Sequence, residues 1–431
     1  MRLIRIKNLW LIFLVLFFSL TLLGVDQSAS QKIEQETENI KENLVKIRRQ
    51  LHQNPELSNR EFETSKLVAG YLKSLGLEVK TGIAHTGVVG LLKGAESGIT
   101  VALRADMDAL PIQELNNVPY KSKNPGVMHA CGHDFHTTIG LGTATVLSKI
   151  KDKIKGNIKF IFQPAEEGAP PGEEGGASLM IKEEVLKNPE VSVIFGLHVF
   201  PLLDVSTMGY KPESFMAQAN RFEIEVLGKK THGASPHLGI DPIVIASEVV
   251  LAFQTITSRQ IDAREPVVLS VGIIEGGNRF NIIADKVKLV GTVRVFNPKT
   301  NQEVRSRMER IVKGITESYG ANYTFKYNEG APPVNNDPNL VKESISVIEK
   351  LVGSQNVILL KPQMFAEDFS YYALKVPGFF YFLGVRNEEK GLVNMLHTPY
   401  FNGDEKCIPL GIKLMCHLLL NYLESHKKLD N

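Results

Sequence analysis

A stretch of eight residues, from His129 to His136, contains three histidines, one cysteine and one aspartate. Thiolates and neutral imidazoles are good ligands for divalent transition ions. Cys131 and His133 are two residues apart, so in an extended segment both side chains point to the same side. The stretch therefore predicts a metal site. The alternative for the stretch taken alone is a loop with a buried thiol and solvated histidines.

Further side chains that could ligate metal or transfer protons follow short apolar runs. These runs predict buried strands at residues 100–103, 158–162 and 191–197. Asp106 and Asp108 follow the first run, Glu166 and Glu167 the second, and His198 the third. Open α/β sheets bind ligands outside the carboxyl ends of their strands, so we expect these side chains to converge. Taken singly, the glutamates would be a solvated turn and His198 a hydrogen-bonded core histidine.

Strand-like runs and helical patterns alternate on both sides of a region of different character. The alternation predicts an α/β fold, with a mostly parallel sheet and helices on both faces, for residues 31–212 and 328–431. Residues 213–327 show the order strand, helix, two strands, helix, strand, which predicts an inserted α+β domain. Within the first part, Ser58 and Glu61 have the spacing of a capping box at a helix start.

The first thirty residues form a separate segment. Arg2, Arg5 and Lys7 precede an apolar run from Leu9 to Val25, and small residues follow at 28–30. This pattern predicts a signal peptide and an exported protein, secreted or periplasmic. The alternative is an uncleaved N-terminal anchor, and membrane contact is expected only in that case. The formal charge of +2 over 431 residues gives no reason to expect nucleic acid as a partner.

The chain has three cysteines, an odd number for an exported protein. Cys131 lies in the histidine-rich stretch and is the candidate ligand. Cys407 and Cys416 could form a disulfide or remain two buried thiols, and the sequence leaves that pairing open.

Several motifs occur in an order that resembles the M20 metallopeptidases. They lie at residues 48–57, 104–111, 129–134, 163–168, 196–199, 232–237, 367–369 and 396–398. Within that family, the chain is similar to the branch of aminoacylases, hippurate hydrolases and auxin-conjugate amidohydrolases. The resemblance spans nearly all of the chain after the export segment.

The resemblance implies a site for two divalent metal ions. Position by position, its ligands would be Cys131, His133, Glu167, His198 and His397. Sulfur and nitrogen donors with one carboxylate suit zinc, manganese, cobalt or nickel better than magnesium or calcium. The family often uses manganese or zinc. Relatives outside this branch have histidine where Asp106 stands. Asp106 and Asp108 are therefore assigned either to orienting the ligands or to a structural turn.

The resemblance also implies catalytic and substrate-binding roles. Glu166 would be the general base. His232 would stabilise the tetrahedral oxyanion, commonly across a dimer, so a homodimer through the inserted lid domain is expected. Asn281 and Arg294 would bind the amide and the carboxylate of the substrate.

Two departures from the family pattern affect the expected substrate pocket. Lys230 and Thr231 precede His232 where two glycines are common, and Ala284 stands where proline is usual. For His232 and Arg294, the alternatives are a solvated histidine and an ordinary surface ion pair.

The predicted function is a metal-dependent amidohydrolase that cleaves the amide bond of N-acyl or aryl amino acids, such as hippurate. One alternative is a carboxypeptidase or dipeptidase that acts on short peptides. Another is a non-catalytic exported protein that binds amino-acid conjugates. The presence of Glu166 and of all five ligand positions argues against a non-catalytic protein.

Overall fold

The computed structural model describes residues 27–426. The apolar run from Leu9 to Val25, which carries the predicted signal or anchor, lies outside these residues. Within residues 27–426, every helix is too short or too polar to cross a membrane. Contacts between Cα atoms divide the described chain into two compact units. The first unit comprises residues 27–210, 338–359 and 376–426, and the second comprises residues 211–337 and 360–375.

Both units combine helices with strands. The helices are α1 (Gln27–Gln53), α2 (Phe62–Ser74), α3 (His133–Ser148), α4 (Gly176–Lys182), α5 (Pro242–Thr255), α6 (Pro298–Ser318), α7 (Pro338–Val352), α8 (Ser370–Ala373) and α9 (Cys407–Ser425). The strands are β1 (Glu78–Ile83), β2 (Gly87–Lys93), β3 (Glu96–Asp106), β4 (Lys155–Gln163), β5 (Val191–Asp204), β6 (Met208–Tyr210), β7 (Glu213–Met216), β8 (Gln218–Leu227), β9 (Thr231–His232), β10 (Val267–Gly276), β11 (Ile282–Ile283), β12 (Lys286–Val295), β13 (Asn322–Asn328), β14 (Val334–Asn336), β15 (Val357–Leu359) and β16 (Gly378–Arg386).

The first unit is built on a sheet with the strand order β1-β2-β4-β3-β5-β16-β6-β15. The central strands β4, β3, β5 and β16 are parallel to one another. Strand β2 is antiparallel to both of its neighbours, β1 and β4. In β3, consecutive residues from Thr100 to Asp106 are buried, which requires cover on both faces of the sheet. The predicted α/β architecture is confirmed, and the parallel strands bring their carboxyl ends to one edge.

The second unit contains an antiparallel sheet with the strand order β10-β12-β8-β13. Burial alternates along β8 and β13, because one face packs against α5 and α6 while the other is more exposed. This is the order of elements predicted for the inserted domain. Its boundary differs from the prediction, since residues 211–212, 328–337 and 360–375 also belong to this unit. The reason is pairing: β14 pairs with β7, and Gln363 bridges to Met216.

The three cysteines are free thiols in the structure, and all three are buried. Cys407 and Cys416 both lie on α9, nine residues apart, which corresponds to about 13.5 Å along a helix axis. A disulfide requires Cα atoms within about 7 Å, so these two residues cannot pair within the chain. The question that the sequence left open is therefore answered by helix geometry.

Candidate metal centre

The five predicted ligands come together in the first unit. Cys131 Sγ lies 3.3 Å from His198 Nε2 and 3.1 Å from His397 Nε2. Glu167 Oε1 lies 3.2 Å from His397 Nε2 and 3.9 Å from His133 Nε2. These atoms form two overlapping sets, one of Cys131, His133 and His198 and one of Cys131, Glu167 and His397, each within 4.8 Å. Cys131 belongs to both sets, as expected of a ligand shared between two ions.

Gly132 fixes the turn between the thiol and the first imidazole of the site. It precedes α3 with a φ of +88°, a conformation that favours glycine. A Cβ at this position would lie 2.3 Å from Val199 Cγ2, on the strand that carries His198. Glycine therefore allows the Cys131 loop to pack closely against β5.

The sequence pattern placed His198 directly after the end of a strand. In the structure, His198 lies inside that strand. Strand β5 continues to Asp204, but its pairing with β3 stops at Gly196. The His198 side chain therefore lies just beyond the part of β5 that pairs with β3, while β5 still pairs with β16 at Phe382. The sequence pattern predicted His198 as a candidate but placed the end of its strand at residue 197, whereas the apolar residues after His198 continue the strand.

Hydrogen bonds leave the Nε2 atoms of two of the histidines facing the other donors. Nδ1 of His133 lies 3.2 Å from Asp108 Oδ1, and Nδ1 of His198 lies 2.7 Å from the Val199 carbonyl oxygen. His133 Nε2 and Glu167 Oε1 are buried without a hydrogen-bond partner. Buried polar atoms are nearly always paired, so one unpartnered atom in each of the two sets fits a bound cation.

The electrostatics of the donor set also fit a cation. Burial, together with the negative charges of Glu167 and Glu166, raises the pKa of the Cys131 thiol well above its usual range. Burial and the neighbouring His136 hold the pKa of His198 well below its usual range, so that ring is neutral, as a ligand must be. A thiolate among carboxylates requires compensating positive charge, which divalent ions would supply.

Asp108 connects a metal-site histidine to the loop that contains the glutamates. Its fully buried carboxylate accepts hydrogen bonds from the backbone N–H groups of Glu166 (3.1 Å) and Glu167 (3.0 Å). It also accepts from Ser58 Oγ at 2.7 Å and faces His133 Nδ1. These contacts favour an orienting role for Asp108 over a purely local turn.

Asp106 contacts His136, a histidine for which the sequence predicted no individual role. Asp106 Oδ1 lies 2.6 Å from His136 Nδ1, and His136 Nε2 accepts the backbone N–H of Val199 at 2.9 Å. Val199 follows His198, so the Asp106–His136 pair supports the backbone of that predicted ligand. The available signal was the spacing of His133 and His136, three residues apart on one helix face.

Glu166 lies beside the donor set. One carboxylate oxygen, Oε2, is 3.8 Å from His133 Nε2, and the side chain is about 10 % exposed. Glu166 belongs to neither of the two sets that share Cys131. The arrangement therefore provides a carboxylate next to the ligands that can accept a proton.

Within the second unit, two of the three predicted substrate residues are neighbours. Pairing of β9 with β11 places His232 opposite Ile282, and Gly233 donates its N–H to the Asn281 carbonyl oxygen at 2.8 Å. His232 is exposed, and its Nδ1 accepts the N–H of Ala234 at 3.0 Å. The side-chain oxygen of Asn281 is buried without a partner.

Arg294 lies on β12, apart from that pair, in a depression of about 440 Å³ on the sheet face. It is half-buried, and burial lowers its pKa. Lys230, one of the departures from the family pattern, forms an ion pair with Asp285 at 3.3 Å. That departure links the segments that contain His232 and Asn281.

Comparison with known proteins gives relatives of nearly full length. The thermostable carboxypeptidase 2 of Saccharolobus solfataricus is 41% identical over 399 residues, which cover 92% of this chain and 99% of the relative. The IAA-amino acid hydrolase ILR1-like 4 of Arabidopsis thaliana is 39% identical over 384 residues, 88% of this chain and 86% of the relative. The N-acetyl-L-cysteine deacetylase of Bacillus subtilis is 38% identical over 369 residues, 86% and 85% of the two chains.

A solved structure and a family profile agree with these relatives. The YXEP protein of Bacillus subtilis, described as a dinuclear metal binding peptidase from the M20 family, has a TM-score of 0.76 and 35% identity. The match covers 90% of this chain and 99% of that one. The profile of Peptidase family M20/M25/M40 matches residues 102–421. Together with the shared-cysteine donor set, these matches show that the chain belongs to the M20 family and is a metal-dependent hydrolase of amide bonds.

Proposed function

We propose that this enzyme hydrolyses the amide bond between an acyl or aryl-acyl group and an amino acid, as in hippurate. The observation that carries the proposal is Glu166, a carboxylate placed 3.8 Å from His133 in a donor set for two ions. The substrate class is supported by relatives that are named for IAA-amino acids and for N-acetyl-L-cysteine.

The residues of the chain divide the chemistry between them. Two divalent ions, zinc or manganese as the family resemblance implies, would lower the pKa of water and polarise the amide carbonyl. Glu166 accepts a proton from the attacking water and transfers it to the departing amine. His232 supports the oxyanion: because its Nδ1 accepts the Ala234 N–H, the neutral ring has its proton on Nε2 and can donate it.

Arg294 is proposed to bind the substrate carboxylate, with Asn281 accepting the amide N–H. No carboxylate within residues 27–426 forms an ion pair with Arg294. We expect Arg294→Met to raise KM for hippurate by about 10- to 100-fold, because a charged hydrogen-bonded contact contributes about 1.5–3 kcal/mol. Arg221→Met is the matched control, since Arg221 lines the same depression but pairs with Glu223. Equal effects of the two substitutions on KM would contradict the assignment.

A small substrate panel tests the reaction. Hippurate, an N-acetyl amino acid and a dipeptide with the same C-terminal residue are compared by kcat/KM with zinc or manganese present. We expect the two N-acyl substrates to exceed the dipeptide by at least about tenfold, since a free amino group must lose its hydration in an acyl pocket.

The second candidate function is a carboxypeptidase or dipeptidase, favoured by the 41% identical thermostable carboxypeptidase. Preference of the purified enzyme for the dipeptide would establish this activity instead. Absence of turnover on every member of the panel, with metal bound, would favour a binding protein.

We also propose a homodimer formed through the second unit. Strand β10 is at the edge of its sheet and exposes Ile273 and Ile274, and α5 exposes Leu251. Exposed apolar edge strands pair readily with another chain. Light scattering should give the dimer mass for the wild type and the monomer mass for Ile274→Lys. Leu359→Lys, an equally exposed leucine of the first unit, should remain dimeric; dimeric Ile274→Lys would contradict the proposed interface.

Export remains a proposal based on the basic start and apolar run of residues 1–30. The protein is then secreted or periplasmic after cleavage, or membrane-anchored without it.

A further inference from the structure

The four residues from Ser58 to Glu61 do not form the capping box that their spacing predicted. Glu61 precedes α2, but its side chain makes no capping hydrogen bond. Glu56 performs that function instead, since its carboxylate accepts the backbone N–H groups of Glu63 (3.0 Å) and Thr64 (2.8 Å). The Ser58 and Glu61 side chains are thus available for other contacts, Ser58 with Asp108 and Glu61 with the backbone of Ala165.

Glu61 holds the backbone of the loop that contains Glu166 and Glu167. Its fully buried carboxylate accepts the N–H of Ala165 at 2.9 Å through Oε1 and the hydroxyl of Thr86 at 2.5 Å through Oε2. Ala165 has a φ of +53°, in the left-handed region that costs free energy for alanine. The strained residue therefore lies directly before the proposed general base, with its N–H fixed by a side chain from a distant segment.

Three consecutive N–H groups of this loop are accepted by two buried carboxylates. Glu61 takes the first, and Asp108 takes those of Glu166 and Glu167. Burial and the negative charge of Asp108 raise the pKa of Glu61 to about 7, so this is an unfavourable place for an acid. An unfavourable polar group next to a strained residue is typical of a position that function has selected.

We propose that Glu61 is a positioning residue for the metal centre. By accepting the Ala165 N–H, it stabilises the left-handed turn that directs Glu167 into the donor set and Glu166 beside it. Thr86 in turn fixes the orientation of the Glu61 carboxylate. The part of this inference that concerns Glu166 rests on the proposed function, whereas the part that concerns Glu167 does not.

The experiment compares Glu61→Ala, Glu61→Gln, Thr86→Val and the control Glu56→Ala. For each variant, zinc and manganese affinities are measured by competition with a chelator. The values of kcat and KM are measured on hippurate, and the melting temperature is measured with and without metal. We expect Glu61→Ala to weaken metal binding and to lower kcat by about 10- to 100-fold each, with little change in KM. Glu61→Gln keeps an oxygen acceptor for Ala165 and should stay within about threefold of wild type.

Glu56→Ala separates positioning from general stability. It removes the acceptor of two N–H groups at the same helix start, so it should lower the melting temperature and leave metal affinity unchanged. Wild-type metal affinity in Glu61→Ala would overturn the inference, as would an equal loss in Glu56→Ala.

Thr86→Val provides the test if Glu61→Ala does not fold. This substitution removes one hydroxyl and should weaken metal binding by about threefold or more, whereas unchanged affinity would overturn the inference. Metal affinity also distinguishes this inference from the proposed function. If the wild type binds metal but hydrolyses no amide in the panel, the proposed reaction fails, and the affinities of the variants still decide the role of Glu61.

Discussion

Glu166→Gln is expected to lower kcat on hippurate by about 100- to 10,000-fold while the protein still binds two equivalents of metal. The amide cannot accept a proton from water, yet it has nearly the same shape as the carboxylate. The backbone N–H of Glu166 still reaches Asp108, so the loop geometry is preserved. Steady-state kinetics and metal analysis of the purified variant provide the two measurements.

Two further substitutions show whether the effect is specific to Glu166: Glu184→Gln at an exposed glutamate and Glu167→Gln in the donor set. Glu184 is exposed and pairs with Lys187, so its substitution should leave kcat unchanged. Glu167→Gln removes a predicted ligand, so this variant should lose metal as well as activity. If Glu166→Gln keeps most of the wild-type kcat, another group is the base and the proposed mechanism is wrong.

Cys131→Ser is expected to reduce activity by more than about 100-fold and to reduce bound metal below two equivalents. Loss of a residue that only supports a ligand commonly costs 10- to 100-fold in metal affinity, and loss of a ligand common to both donor sets should cost more. The hydroxyl of serine is also a much poorer ligand for zinc than a thiolate. Metal content after dialysis and activity with added zinc or manganese are measured together.

Cys407→Ser and Cys416→Ser are matched controls for this substitution. Both thiols are buried, as that of Cys131 is, but both lie on α9 in the hydrophobic core. We expect these variants to lose stability, because a buried hydroxyl without a partner is unfavourable, and to keep both metal equivalents. Two metal equivalents in Cys131→Ser would show that the thiol is not a ligand.

Much of this protein could be predicted from its sequence because the signals are local. Apolar runs of strand length, separated by helical periodicities, predicted the sheet of the first unit and the inserted second unit. The carboxyl ends of parallel strands share one edge, so Asp106, Asp108 and Glu166 could be expected near one another. Residue type also predicted a site for divalent transition ions, since thiolate and imidazole are ligands for such ions, whereas which metal binds stays a prediction.

What the sequence could not decide depends on contacts between distant segments. The same Ser58 and Glu61 pattern fits a helix cap or a support for a catalytic loop, and only the approach of Ala165 distinguishes them. The role of His136 likewise depends on the Val199 N–H being within reach.

The sequence by itself determined the classes of secondary structure, the donor types and their order along the chain. The tertiary structure alone decided which imidazole nitrogen faces the other donors, which buried carboxylate supports which N–H, and to which unit residues 360–375 belong. The physical reason is the distance along the chain over which each kind of information acts. Periodicity and residue chemistry act within a few neighbours, whereas a hydrogen bond to a buried group requires both partners to be fixed by the whole fold.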